Sequence, residues 1–341
     1  MRRWTTLLTA IAASMLVAAP ALACGGLVAP NGTVNLVRTT TLAGYHDGVE
    51  HYVTSFEYAG GGGKFGSIVP LPGIPSDVVR GGDWTLQRLV QEVQPPRRDL
   101  LTATLELAGA SSSAKVVLET RIDALDITVL KGGADEVGRW AIDNGFSLPP
   151  DAPEVLEFYA RRSPIFMAAR FDASEAERLG QSVGDGTPIH LSIPTDTPWV
   201  PLRILALGRR ASETVQADVF LLTDARPTLL PRPGTTMDLE RSEVASDSLI
   251  RDLRSDKGMK WIPAGGMWLS YLKIDAAAGD LDHDLAIDPT GFGRPSEVAA
   301  GLVIPEDVTE AAAETPAWAW AAAALLVAAA LALGNRIVAA R

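Results

Sequence analysis

Apolar positions dominate both ends of the chain and are interspersed with polar ones between them. In the region between, Val34 to Tyr45 and Val49 to Tyr58 read as two strands. Tyr52, Thr54 and Phe56 share one face of the second strand; Val49, His51, Val53 and Ser55 share the other. His46-Asp47-Gly48 between them reads as a hairpin turn, with Gly48 supplying a positive φ. Gly60 to Gly63 is a flexible turn, and Phe65 to Leu71 is a third strand ended by the prolines of Pro70-Leu71-Pro72-Gly73-Ile74-Pro75.

A helix is expected from an N-cap at Asp83 to about Val93, because Leu86, Leu89, Val90 and Val93 form one stripe. Ala114 to Leu130 reads as strand–turn–strand. A helix over Asp135 to Asn144 buries Val137, Trp140 and Ala141 and stops at Gly145. Pro153 to Arg161 is a short helix carrying Leu156 and Tyr159. Strands follow at Ile165 to Phe171, Pro188 to Ile193, Val200 to Leu207, Val215 to Leu222, Met267 to Ile274 and Leu285 to Ile287, with a helix around Ser246 to Arg254. Short strands between Gly/Pro-rich turns, with helices grouped together, predict an α+β fold of mainly antiparallel β-sheets with a few short helices. Regular strand–helix alternation, the mark of a doubly wound sheet, is absent. No short-period repeat is visible. Phe65 to Pro72 and Lys260 to Pro263 echo one another as aromatic-flanked strands ending in proline.

The apolar ends change the picture from fold to topology. Residues 1–23 have a positive start at Arg2-Arg3, an apolar stretch from Leu7 to Ala19 and a small-x-small site at Ala21-Leu22-Ala23, the plan of a secretory signal peptide. The surroundings of Arg2-Arg3 fit a twin-arginine signal poorly. Cleavage there makes Cys24, the single cysteine of the chain, the first mature residue, a position where bacterial lipoproteins carry their lipid. Ala21 stands where such signals have a larger aliphatic residue, so ordinary cleavage leaving a free thiol is the expectation and lipidation of Cys24 the alternative. One cysteine allows no internal disulfide, and stability must come from an apolar core.

At the other end, residues 317–333 form a 17-residue apolar run, about 26 Å as a helix. Trp318 and Trp320 sit at its outer edge, and Arg336 and Arg341 follow it. Interfacial tryptophans and retained arginines predict one C-terminal transmembrane helix, with the 334–341 tail cytoplasmic and the bulk outside. Residues 306–316 are a tether, and residues 24–305 form the extracytoplasmic domain, whole or as two subdomains with a break near residues 175–187.

The chain holds 30 basic and 41 acidic residues, and four of the basic ones flank the apolar ends. The outer region therefore carries 26 basic against 41 acidic residues, about −15, which repels a polyanion and excludes nucleic acid as a partner. The sequon Asn31-Gly32-Thr33 has no role in a chain whose alanine and arginine content and compact signal are bacterial in character.

An ordered series of short motifs carries a resemblance. Glu50 to Phe56 is followed by Ile68-Val69-Pro70-Leu71-Pro72, then Asp126 to Leu130, a tryptophan-bearing helix, and Asn144-Gly145-Phe146. A helix with Tyr159, the strand Phe166 to Arg170 and Pro198-Trp199-Val200-Pro201-Leu202-Arg203 complete it, with Cys24-Gly25-Gly26 at the start. This succession resembles the bacterial DUF2330 family, whose members are typically exported, over Cys24 to roughly Asp224. The resemblance implies an exported protein and supplies neither an activity nor site residues. The chain departs from the family picture in having one cysteine near its start instead of several.

Candidate chemistry is sparse. Gly61-Gly62-Gly63-Lys64-Phe65-Gly66 matches G-x-G-x-x-G, yet it runs into extended Ser67-Ile68-Val69-Pro70 rather than a helix. A P-loop fails because Tyr58 stands at the first glycine position and Phe65 follows Lys64. His46, Asp47, Glu50 and His51 crowd together, residue types suited to zinc or acid–base work, at a spacing that instead reads as a turn histidine and a surface strand pair. Asp280, Asp282, His283, Asp284 and Asp288 begin like a calcium loop, with Leu285 in place of the glycine and Gly291 in place of the closing glutamate, and read as a solvated strand edge. There is no G-x-S-x-G and no cysteine pair. Trp84 and Trp140 belong to core packing, while Trp199, between Pro198 and Pro201, is the tryptophan left open to exposure and ligand contact. No catalytic, cofactor-binding or metal-binding residue is assigned, and no cofactor is expected.

The sequence thus predicts a membrane-anchored extracytoplasmic protein that binds or scaffolds an envelope component, a protein or a glycan. The alternative is an envelope hydrolase whose carboxylates, near His51 or Asp282, converge in space on a glycan or peptide.

Overall fold

The computed structural model describes residues 27–28, 35–59, 65–93, 115–171, 178, 187–234 and 236–305. The signal segment, Cys24, the Gly60–Gly63 turn, the tether, the apolar 317–333 segment and the tail lie outside the described residues. Among the described residues no helix is long and apolar enough to cross a membrane. The chain divides into units 1–303 and 304–341, and every described strand and helix belongs to the first.

The first elements are β1 (Leu27–Val28), β2 (Asn35–His46) and β3 (Val49–Ala59). Asp47 (φ 50°) and Gly48 (φ 77°) both take left-handed backbone, the two-residue turn whose twist matches an antiparallel hairpin. Then come β4 (Phe65–Pro70), β5 (Asp77–Arg80), which the sequence did not disclose, and α1 (Thr85–Val93). The strand pair β6 (Lys115–Ile122) and β7 (Leu125–Lys131) precedes α2 (Ala134–Asp143) and α3 (Ala152–Ala160). β8 (Ile165–Phe171) and β9 (Ile189–Pro194) follow.

The expected strand from Val200 to Leu207 is not formed. Only β10 (Trp199–Val200) is extended, and Arg203–Ala206 curl into a 3-10 turn. The cause is distant in sequence: the Asp284 carboxylate accepts hydrogen bonds from the amides of Leu202 (2.7 Å) and Arg203 (3.0 Å), pulling consecutive N–H groups to one side. The chain continues with β11 (Thr214–Thr223), β12 (Thr228–Leu230), β13 (Met237–Val244) and α4 (Asp247–Ser255), capped by Ser246. Lys260 to Pro263 is a turn and not a second proline-ended strand. β14 (Trp268–Ala277), β15 (Leu285–Asp288) and α5 (Glu297–Ala300) complete it.

The strands form three sheets. A seven-stranded sheet runs β13-β14-β11-β2-β3-β9-β5, antiparallel except for the parallel pair β2 and β11. A five-stranded antiparallel sheet runs β1-β4-β8-β7-β6, and β10-β15-β12 form a small third one. The fold is α+β with mainly antiparallel sheets. Strands from either side of residues 175–187 share the seven-stranded sheet.

That sheet is buried on both faces. On one, Leu42, Val53, Phe220 and Leu222 pack with Leu86 and Leu89 of α1, Leu249, Ile250 and Leu253 of α4, and Met259 and Ile262. Each such side chain contributes about 1.5–3 kcal/mol on burial. On the other, Thr39, Thr41, Tyr52, Thr54, Ala217 and Val219 face Ile68, Val69, Val200, Leu202 and Ile204 across a cavity with room for roughly one water.

Asp83 does not cap α1. Its carboxylate is paired with Arg80. The cap comes from the end of α4, where buried Asp256 accepts from the amides of Asp83 and Trp84 (both 3.0 Å) and from the Thr85 hydroxyl (2.7 Å). A carboxylate here satisfies orphan N–H groups and complements the helix dipole while tying α1 to α4.

Candidate functional site

The sequence grouped His46, Asp47, Glu50 and His51, and the structure separates them. His46 lies at the hairpin end and is paired with Asp224 (2.8 Å) and Asp47. Glu50 and His51 are neighbours on β3 and therefore point to opposite faces of the seven-stranded sheet. Neither is a surface residue: Glu50 is 0% exposed and His51 9%.

His51 finds its partner 139 residues away. Residue 190 on β9 stands opposite Val53, so its side chain emerges beside His51 on the same face. His51 Nδ1 and His190 Nε2 are 3.0 Å apart, both rings buried. One ring donates its N–H and the other accepts, so the pair shares a single proton between the two nitrogens. Trp261, from the turn after α4, closes over them. Its indole stacks on the His51 ring with centroids 4.0 Å apart and planes 7° from parallel. The indole fits because position 44, opposite His51 on β2, is glycine; a Cβ there would stand 2.1 Å from the indole.

Burial, then the neighbouring His190 and His46, push the His51 pKa down to about 3. Burial pushes His190 down to about 4, against the pull of Asp77. Both rings are therefore neutral at pH 7. His190 Nδ1 and Trp261 Nε1 are buried without a hydrogen-bond partner among the described residues. The arrangement can hold or relay a proton between two imidazoles. Among the described residues no three His, Cys, Asp or Glu side chains come together as a metal-holding group.

On the opposite face, Glu50 Oε2 accepts from the Trp199 amide at 3.3 Å, and Oε1 has no partner among the described residues. Burial pushes this carboxyl up to about 8, only partly offset by the amide, so it is protonated at neutral pH.

The second acidic group is also dispersed. Asp282 is exposed and pairs with His283, while Asp288 accepts from Thr290 and Gly293 in the loop beyond β15. Asp284 is not on a solvated edge; it is 0% exposed. It accepts from the Tyr159 hydroxyl (2.8 Å), the Leu202 and Arg203 amides, and the Arg162 guanidinium. Tyr159 in turn accepts from the Ile204 amide (2.8 Å), and burial with the adjacent Asp284 charge holds its pKa well above the usual value. Trp199, whose exposure the sequence left open, is 3% exposed, stacked on Tyr159 and covered by the Arg162 guanidinium. Trp140 is core as expected, and Trp84 is half-buried. Of the glycine motif, Phe65 and Gly66 lie in a strand, and the other glycines fall outside the described residues.

The profile of the family described as "Uncharacterized protein conserved in bacteria (DUF2330)" matches residues 18–244, well over half of the chain. The chain belongs to DUF2330. The matched span includes His51, His190 and Glu50; Asp256, Trp261 and Asp284 of this DUF2330 protein lie beyond it. No curated protein matches the chain. Two solved structures share a loose likeness. The crystal structure of baculovirus P35 has 9% identity and a TM-score of 0.39, covering 75% of this chain and 97% of that one. A mutated baculovirus P35 after caspase cleavage has 7% identity and a TM-score of 0.35, covering 61% and 76%. Likeness at that level transfers neither a fold nor an activity.

Proposed function

We propose that this DUF2330 protein is an exported, membrane-held module whose outer domain binds or scaffolds another component of the bacterial envelope. Export and anchoring rest on the signal-like residues 1–23 and the apolar 317–333 segment. The observation that carries the choice of binding over hydrolysis is the fate of the carboxylates. Glu50 and His51 face opposite sides of one sheet, and Asp284 is held by Tyr159, Arg162 and two amides inside the core. A glycoside hydrolase requires two carboxyl groups flanking one substrate position, and these side chains serve the packing of the domain instead.

The test is made in the native host. A photoreactive residue at exposed Val244 should yield a discrete adduct of constant mass from intact cells, with the protein in the membrane fraction. Recovery in the soluble fraction would overturn the anchoring. Turnover of envelope glycan or peptide by the purified protein, lost in Glu50→Gln or His51→Gln, would overturn the binding role.

A further inference from the structure

The most exposed large apolar side chain among the described residues is Phe292, 98% accessible. It sits on a built loop. The Asp288 carboxylate accepts from the Thr290 hydroxyl (2.8 Å) and the Gly293 amide (2.8 Å), and the Thr290 hydroxyl accepts from the Phe292 amide (3.3 Å). Gly291, at φ 72°, is wedged against the backbone of Arg226, where a Cβ would stand 2.2 Å from the carbonyl oxygen. A backbone held this way presents the ring to a partner with little ordering of the loop. Left in water, the ring forgoes the gain of burial.

The loop lies close to where the chain leaves the domain. Asp288 ends β15, and the Asp284 amide just before β15 donates to the Ala300 carbonyl of α5 (2.9 Å). The exit is therefore about one four-residue strand, ~13 Å, from the loop. Leu302 and Val303 at this exit are also exposed, at 50% and 45%. The apolar run opens at Ala317, and the chain between Val303 and Ala317 reaches about 50 Å when fully extended. Arg226, whose guanidinium lies over the Trp268 ring, Arg294, Asp282 and Glu297 are all exposed. Charge of both signs favours no anionic surface, so the aromatic ring decides the occupant.

We propose that the Gly291-Phe292-Gly293 tip inserts into the outer interface of the bilayer, with Leu302 and Val303, and so sets the orientation of the anchored domain. This rests on the anchoring reading above. Phe and Leu side chains presented together bury into the boundary between headgroups and acyl chains.

The test uses the full chain in phosphatidylcholine vesicles, in a Cys24→Ser background, with a nitroxide on Val303→Cys or on Val244→Cys, so that Phe292 stays in place. The label at 303 should be severalfold less accessible to a water-soluble nickel relaxant than the label at 244, and more accessible to oxygen. With Phe292→Ser, the label at 303 should become more exposed to nickel. Equal nickel access at 303 and 244, or no change on Phe292→Ser, in chains that still float with vesicles, overturns this inference and leaves the anchor standing. Chains that do not float overturn both. A label at 303 shielded from both relaxants reports a second copy of the chain over this face, and overturns the lipid assignment.

Discussion

The indole of Trp261 lies parallel to the imidazole of His51, 4.0 Å away, in a slot that exists because residue 44 lacks a Cβ. Gly44→Ala should therefore destabilise the domain by about 1–3 kcal/mol through overpacking. The same substitution made with Trp261→Leu should cost less than the two single changes added together. Urea unfolding of the four proteins measures this coupling, and strict additivity would break the link between residues 44 and 261.

The imidazole pair and Glu50 give stability opposite dependences on pH. His51 and His190 are held at about 3 and about 4, against about 6.5 in the unfolded chain. As pH falls below about 6.5 the unfolded chain takes up protons that the folded pair excludes, so stability falls through that window. Glu50 is raised from 4.5 to about 8. As pH rises between those values the unfolded chain releases a proton that the folded chain keeps, and stability falls again. Replacing both histidines by glutamine should flatten the acid limb of the urea midpoint against pH. Glu50→Gln should flatten the limb between about pH 6.5 and 8. An acid limb unchanged in the double variant would show that other groups carry it.

Asp282 and Asp284 are two residues apart and should behave differently. Asp284→Asn leaves the Arg162 charge buried without its counter-ion and should cost about 3–5 kcal/mol. Asp282→Asn changes an exposed group and should stay within about 0.5 kcal/mol. Comparable losses in thermal unfolding would contradict the buried network.

The cap of α1 provides another contrast. Asp256→Ala removes the acceptor for two amides and a hydroxyl and should cost about 1–2 kcal/mol or more. Asp83→Ala removes an ion pair with Arg80, whose partners are half-exposed, and should cost at most about 1 kcal/mol. Hydrogen exchange of the first turn of α1 should accelerate in the Asp256 variant only.

Processing at Cys24 separates two fates of the N-terminus. On the anchoring proposed above, Cys24→Ser should leave the protein in the membrane fraction. Incorporation of a fatty-acid analogue that disappears in the variant would establish lipidation.

Local pattern was enough for much of the fold. The run of β-branched and aromatic residues in Val49 to Tyr58 marks β3, and the Leu86, Leu89, Val90, Val93 stripe marks α1 to within a residue or two. Asp47-Gly48 marks the hairpin turn because few residue pairs accept left-handed backbone. β5 and β12 escaped because they are only four and three residues long, and β13 because it is a charged edge strand whose register shifts between Leu239 and Arg241. The 3-10 turn after β10 escaped because it depends on Asp284, distant in sequence.

By itself, the amino-acid sequence determined the apolar ends, the α+β class, the hairpin and the family. Each is written in neighbouring residues or in their order. Only the tertiary structure decided that Glu50 and His51 part company, that His190 and Trp261 complete a buried ring cluster, and that Asp284 and Asp256 are structural acceptors. Those outcomes depend on register and on contacts between segments far apart in the chain. Side chains adjacent in a strand must face opposite ways, whereas residues 51 and 190 meet because their strands pair.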